Sequence, residues 1–170
     1  SVACGSRESQ EKRFLVLSQI ADLEGKKILD VGCGLGDLYA WLKARHKSLH
    51  YSGVDITTSM IDEARRSHPD AAFKMQDINK LTVTEPLYDF VFASGIFNRK
   101  IEGHEAFIKQ TIQSMFSLCK TGIAFNILSR KADFFEDEEY YADPGEMMDL
   151  CLALSRKAVL RHDYMPHDFT

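Results

Sequence analysis

The residues best suited to chemistry cluster in one short run, ILDVGCGLGDL from Ile28 to Leu38. There an apolar stretch ends in Asp30, and glycine then falls at Gly32, Gly34 and Gly36. Each glycine costs backbone entropy, so three at alternate positions imply a need for positive φ or for close approach to bare main chain. A turn that only joins a strand to a helix would need one glycine or two. A phosphate-cradling G-x-x-x-x-G-K-[ST] loop is excluded, because no Lys-Ser or Lys-Thr pair follows Gly36. A dinucleotide loop, G-x-G-x-x-G, would put its third glycine at residue 37, which is Asp37. A carboxylate there would repel a pyrophosphate where helix amides should attract it.

The elements that position this run alternate. Lys27 to Val31 reads as a strand and Asp37 to Ala44 as a helix with Leu38 and Leu42 on one face. LHYSGVDI is a second strand, followed by a helix from Ser59 to Ser67 with Ser59 and Asp62 spaced as a capping box. AAFKMQDI is a third strand, with Phe73 and Met75 alternating, and DFVFASGIF a fourth, apolar enough to be covered on both faces. A long helix from Glu102 to Cys119 carries a stripe of Phe107, Ile108, Ile112, Met115 and Phe116, and Gly122 is placed to end it. GIAFNILS is a fifth strand; Asp143, Pro144 and Glu146 then mark a helix start, and KAVLRHDY reads as a final strand. This rhythm predicts an α/β fold with a doubly wound, mostly parallel sheet. In such sheets the ligand crevice lies beyond the carboxyl ends of the strands, where the glycines sit.

The 170 residues fit one domain, with 45% hydrophobic and 27% charged residues. A net charge of −4 gives no general reason to bind nucleic acid or anionic lipid. Cys4, Cys33, Cys119 and Cys151 form no C-x-x-C pair, which fits reduced thiols in a cytoplasmic protein. No apolar run reaches the length of a membrane span.

ILDVGCGLGDL resembles the glycine-rich first motif of the Rossmann-like, class I S-adenosylmethionine-dependent methyltransferases. YSGVDITTSMIDEA, FKMQDI and YDFVFASGIFN are similar to their second, third and fourth motifs, in the right order over residues 27–129. The resemblance implies S-adenosylmethionine as cofactor and S-adenosylhomocysteine as product. It divides the single domain 1–170 into an N-terminal helical cover (1–26), a cofactor-binding core (27–129) and a substrate-side loop, helix and edge strand (130–170). Asp55, ending the second strand, would accept from ribose hydroxyls. Asp77 and the Ile78 backbone would read the adenine edge, and Ile56 and Met60 would sandwich the ring. Asp30 would hold the loop that contains Cys33, and Ser94, Gly95 and Ile96 would pass under the methionine portion. Arg7, Lys12 or Arg13 could meet its carboxylate. A positive sulfonium and a zwitterionic tail explain why Asp37 is tolerated.

Methyl transfer is an in-line displacement that needs alignment first and a base only if the acceptor must lose a proton. No Asn/Asp-Pro-Pro-Tyr motif follows the fourth strand and no carboxylate set for a catalytic metal is evident. Acceptor-side candidates are Phe97, Asn98, His104, Asn126, Tyr140 and Tyr141, with His104 read mainly as a surface helix residue. FFEDEEYY reads as a solvated loop anchored by its aromatics, or as a lid for a cationic acceptor. His162, Asp163, His167 and Asp168 read as a sheet-edge cluster, not as metal ligands. The family sheet ends in an antiparallel strand, expected here after Thr170. With no inserted substrate domain, a small-molecule acceptor is expected; the oligomeric state is open. Two other functions compete: a noncatalytic S-adenosylmethionine-binding regulatory module, and an NAD-dependent oxidoreductase disfavoured by Asp37.

Overall fold

The computed structural model describes residues 6–170; Cys4 lies outside them. Five parallel strands, β1 (Lys27–Val31), β2 (His50–Asp55), β3 (Ala72–Met75), β4 (Tyr88–Ala93) and β5 (Cys119–Phe125), form one sheet in the order β3-β2-β1-β4-β5. The order reverses between β1 and β4, which opens a crevice beyond their carboxyl ends. Both faces are covered, as the unbroken apolar runs of β1 and β4 require. On one face Ile28, Phe90 and Phe92 pack with Phe14 of α1 (Arg7–Ser18), Leu38 and Leu42 of α2 (Asp37–Lys43) and Ile61 of α3 (Thr58–Ser67). On the other, Leu29, Val31 and Val91 pack with Ile108, Ile112 and Met115 of α4 (His104–Leu118). Residues one apart in β1 thus serve opposite cores. No helix among the described residues is long and apolar enough to cross a membrane.

Local signals hold where a single residue carries them. The Asp143 carboxylate accepts from the Gly145 and Glu146 amides and caps α5 (Pro144–Leu154), with Pro144 at its first position. They fail where tertiary contacts intervene. Thr57, not Ser59, occupies the N-cap of α3, and no side-chain cap bond forms. Helix α4 stops at Leu118, so Gly122 lies inside β5 instead of ending the helix. There a Cβ would sit 3.1 Å from Cδ1 of Ile20, so the glycine admits a close side chain. The buried stripe of α4 is His104, Ile108, Thr111, Ile112, Met115 and Leu118, while Phe116 turns outward. In β3, Phe73 is buried but Met75, at the strand end, is exposed.

The last segment departs most. KAVLRHDY is not a strand of the sheet: the Arg161 backbone exchanges both hydrogen bonds with Thr170, at 2.7 and 2.9 Å, instead of pairing with β5. The antiparallel strand is β7 (Asp168–Phe169), paired with β6 (Ile127–Leu128) in a separate two-stranded sheet. β5 is left as the edge of the main sheet.

Candidate functional site

The glycine loop leaves β1 with Gly32, Gly34 and Gly36 all at positive φ, 71°, 53° and 88°. Each has a different steric reason to lack a side chain. A Cβ on Gly32 would lie 2.1 Å from Cγ2 of Ile96, and one on Gly36 would meet the rings of His68 and Phe73 at 2.8 and 2.9 Å. On Gly34 it would meet only Sδ of Met60, at 3.7 Å, so the main chain there borders open space. Two glycines therefore close the loop and the middle one leaves a cradle.

Asp55 at the end of β2 clasps that cradle. Its Oδ2 accepts from the Gly34 amide at 3.1 Å and its Oδ1 from the Thr57 amide at 2.8 Å. Each carboxylate oxygen has two lone pairs, so both retain capacity toward a ligand. Flanking the cradle, Ile56 is 72% exposed, and Leu35, Met60 and Met75 are also exposed. Leu35 was not singled out from the sequence, although an apolar side chain between two turn glycines is itself a signal. On the neighbouring strand Asp77 caps a short 3-10 turn, accepting from the Asn79 amide at 3.0 Å, with Ile78 buried behind it.

Beneath the loop Asp30 is buried and accepts from the Tyr51 hydroxyl at 2.7 Å. Burial, with Asp55 and Asp37 nearby, pushes its carboxyl up to about 7 against the opposing Tyr51 bond. Burial, with Asp30 and Asp55, also raises the Cys33 thiol, making it a packed side chain instead of a nucleophile. The Asp37 and Asp55 carboxylates around one loop disfavour a pyrophosphate and suit a ligand carrying positive charge. Arg7, Lys12 and Arg13 are engaged elsewhere: Arg7 with Glu11, Lys12 with Glu8, and Arg13 with the buried Asp168 at 2.8 Å. Gln10 ties α1 to the loop by donating to Asp37 at 3.1 Å.

Across the crevice the exit of β4 is held by side chains. Asn126 is fully buried; its Oδ1 accepts from the Gly95 amide at 2.9 Å and its Nδ2 donates to Ser94 Oγ at 3.0 Å. With both ends of its amide engaged, it positions the loop. Phe97 is likewise fully buried. His104 is not a surface residue: its Nε2 lies 2.9 Å from the Phe97 carbonyl and must donate to it, and its ring stacks on Tyr140 at 4.0 Å. Its Nδ1 is buried without a hydrogen-bond partner, and burial lowers its pKa, so the ring is held neutral.

FFEDEEYY docks on this same exit loop. Lys100 donates to the Glu138 carbonyl and the Tyr140 amide to the Asn98 carbonyl, both at 2.8 Å. The Tyr141 hydroxyl donates to Glu139 at 2.8 Å and accepts from the Glu136 amide at 3.0 Å. The half-buried Asn98 keeps an Oδ1 without a hydrogen-bond partner. His162 bonds Ser129 Oγ at 2.7 Å, Asp163 pairs with Arg161 and Asp168 with Arg13, while His167 Nε2 lies 3.9 Å from the Asp168 carboxylate.

Residues 28–122 match the family model described as a methyltransferase domain. Rv1506c of Mycobacterium tuberculosis, a methyltransferase-named protein, is 33% identical over 150 residues, covering 84% of this chain and 89% of that one. Trans-aconitate 2-methyltransferase of Methylobacterium nodulans is 36% identical over 70 residues, 41% of this chain and 27% of that protein; the match spans about a quarter of that enzyme's length. Among solved structures, magnesium protoporphyrin IX methyltransferase of Synechocystis with bound S-adenosylhomocysteine superposes with a TM-score of 0.71 at 16% identity, covering 95% of this chain and 79% of that one.

Proposed function

The chain belongs to the class I S-adenosylmethionine-dependent methyltransferases, and from that premise we propose that it methylates a small molecule held between the β4 exit loop and the segment 134–142. The observation that carries the reading is the Asp55 carboxylate clasping the Gly34 amide beside a cradle that any side chain on Gly34 would fill. When bound, S-adenosylmethionine supplies a methyl carbon activated by a sulfonium leaving group. The remaining lone pairs of Asp55 would take the ribose hydroxyls, and Ile56, Met60 and Leu35 would lose their exposure against the adenine. Asp77 and the Ile78 backbone would meet the ring edge. Ser94 and Gly95, fixed by Asn126, would run beneath the methionine portion.

On this reading residues 27–129 hold the cofactor, α1 covers it and 130–170 complete the acceptor side. On the same reading the half-buried Asn98 and Tyr140 border the acceptor space, and Asn98, whose buried Oδ1 has no hydrogen-bond partner, is the polar side chain assigned to orienting the acceptor. Neutral His104 supports Tyr140, and no general base is needed for an acceptor, such as a carboxylate, that has no proton to lose before it attacks. Trans-aconitate and magnesium protoporphyrin IX, named in the matched enzymes, support a small-molecule acceptor.

The test is to incubate the protein with labelled S-adenosylmethionine and a panel of carboxylate, amine and phenol acceptors, reading S-adenosylhomocysteine release. Turnover on one class, reduced by Asn98→Ala without loss of cofactor binding, is expected. Tight S-adenosylhomocysteine binding with no turnover on any class would favour the noncatalytic regulatory module instead.

A further inference from the structure

Among the described residues, edge strand β5 has no strand on its outer side. Alongside it runs a groove of about 700 Å³ between the end of α1, β5, α5 and the segment 155–161. No residue of the Gly32 to Gly36 loop lines it, so it is separate from the cradle. Its volume falls in the range of small-molecule sites, about 300–1,000 Å³. The groove leaves apolar side chains in water: Ile20 is 38% exposed, Phe116 36%, Leu152 46% and Val159 82%. Contiguous apolar exposure of this kind marks a binding surface.

Charge along the groove is one-sided. The chain carries 25 acidic and 21 basic residues, yet no Asp or Glu lines the groove, whereas Arg156, Lys157 and Arg161 do. Arg161 is held by Asp163 and Gln19. Arg156 and Lys157 are exposed and form no ion pair among the described residues. Two unengaged cations beside an apolar trough complement a ligand with an apolar tail and an anionic head.

We propose that this groove binds a single-chain amphiphile with an anionic head, for which a medium-chain fatty carboxylate is the simplest representative. The tail lies along β5 between Ile20 and Leu152, and the carboxylate sits by Arg156 and Lys157. The groove shares no residue with the Gly32 to Gly36 loop, the β4 exit loop or the segment 134–142, so its test needs no acceptor.

Octanoate, decanoate and dodecanoate, each below its micelle concentration, are titrated calorimetrically into the whole chain, with decanol as the neutral control. Binding at one site per chain is expected, tightening ~fourfold per added methylene as buried CH₂ groups accumulate. The Arg156→Ala/Lys157→Ala variant, changed only at exposed positions, should weaken decanoate about tenfold and leave decanol unchanged, the scale of an exposed charge-assisted contact. Leu152→Asp should weaken both. Absence of saturable binding, or equal loss of decanoate and decanol in the double variant, would overturn the proposal. So would a ligand-free chain that elutes as a dimer and becomes monomeric on Leu152→Asp, since a second copy would then fill the groove.

Discussion

Two loops face each other across the crevice, and they are built by opposite means. The loop after β1 is shaped by residues with no side chain, three positive-φ glycines fixed by steric contacts and by one clasping carboxylate. The loop after β4 is shaped by buried polar side chains from far along the sequence: Asn126 on Ser94 and Gly95, and His104 on the Phe97 carbonyl. The first arrangement fails through overlap and strain, the second through unpaired polar groups. Mutations should therefore separate the two loops by the kind of damage they cause.

The largest effect is expected at Gly32. Alanine there must adopt φ near 71° and meet Ile96 at 2.1 Å, which together should destabilise the fold by about 4 kcal/mol in chemical unfolding. Gly32→Ala/Ile96→Ala should recover the part due to overlap but not the part due to φ. A single variant as stable as wild type would break the contrast between the loops.

Next comes Asp30, whose folded carboxyl is raised to about 7 by burial. Because the folded pKa lies above the unfolded value, the protonated form is favoured on folding. Stability from this group is present below about pH 4 and is lost as pH rises through 7. Asp30→Asn, which keeps an acceptor for Tyr51, should flatten the melting temperature between pH 4 and 8. It should also be the more stable protein at pH 8, by on the order of 3 kcal/mol. A parallel pH profile in both proteins would place the ionisation elsewhere.

The smallest effect is expected at Asn126. Replacement by Leu strands the Gly95 amide and removes a donor to Ser94, costing about 2 kcal/mol in unfolding experiments. The same change should weaken S-adenosylhomocysteine binding through the displaced loop, whereas Asn126→Asp, which keeps the acceptor for Gly95, should lose less stability when unfolded at about pH 4, where a carboxyl buried at this position is protonated. Equal behaviour of the two variants would deny Asn126 its positioning role.

The same contrast explains what the residue pattern disclosed. Glycine spacing, strand-end carboxylates and the Asp143-Pro144 helix start act through their own backbone, so Gly32 to Gly36, Asp55 and the succession of β1 to β5 along the chain were legible directly, whereas their order in the sheet was not read from the residues. Partnerships across the chain left no local mark. Asn126 looked like an acceptor-facing residue because its partners are 31 and 32 positions away. His104 looked like a surface residue because Tyr140, which covers it, arrives with a later loop. The Arg13–Asp168 pair joins residues 155 apart, and no pattern in either helix or tail announces it. KAVLRHDY has the look of a strand, yet its backbone pairs with Thr170 and leaves β5 as an edge. The roles proposed for Asp77, Ile78, Ile56 and Met60 rest on binding the cofactor.

Cofactor binding is measured by calorimetric titration of S-adenosylhomocysteine into the wild-type chain and into Asp55→Asn, with NAD as the control ligand. Asparagine keeps an acceptor for the Gly34 amide but removes the charge that would hold two hydroxyls. Micromolar-range binding to wild type, weakened about 10- to 100-fold in the folded variant, is the expected result, the scale of a lost charge-assisted hydrogen bond. Equal affinity in both proteins, or tighter binding of NAD than of S-adenosylhomocysteine, would contradict a cofactor cradle built from Gly34 and Asp55.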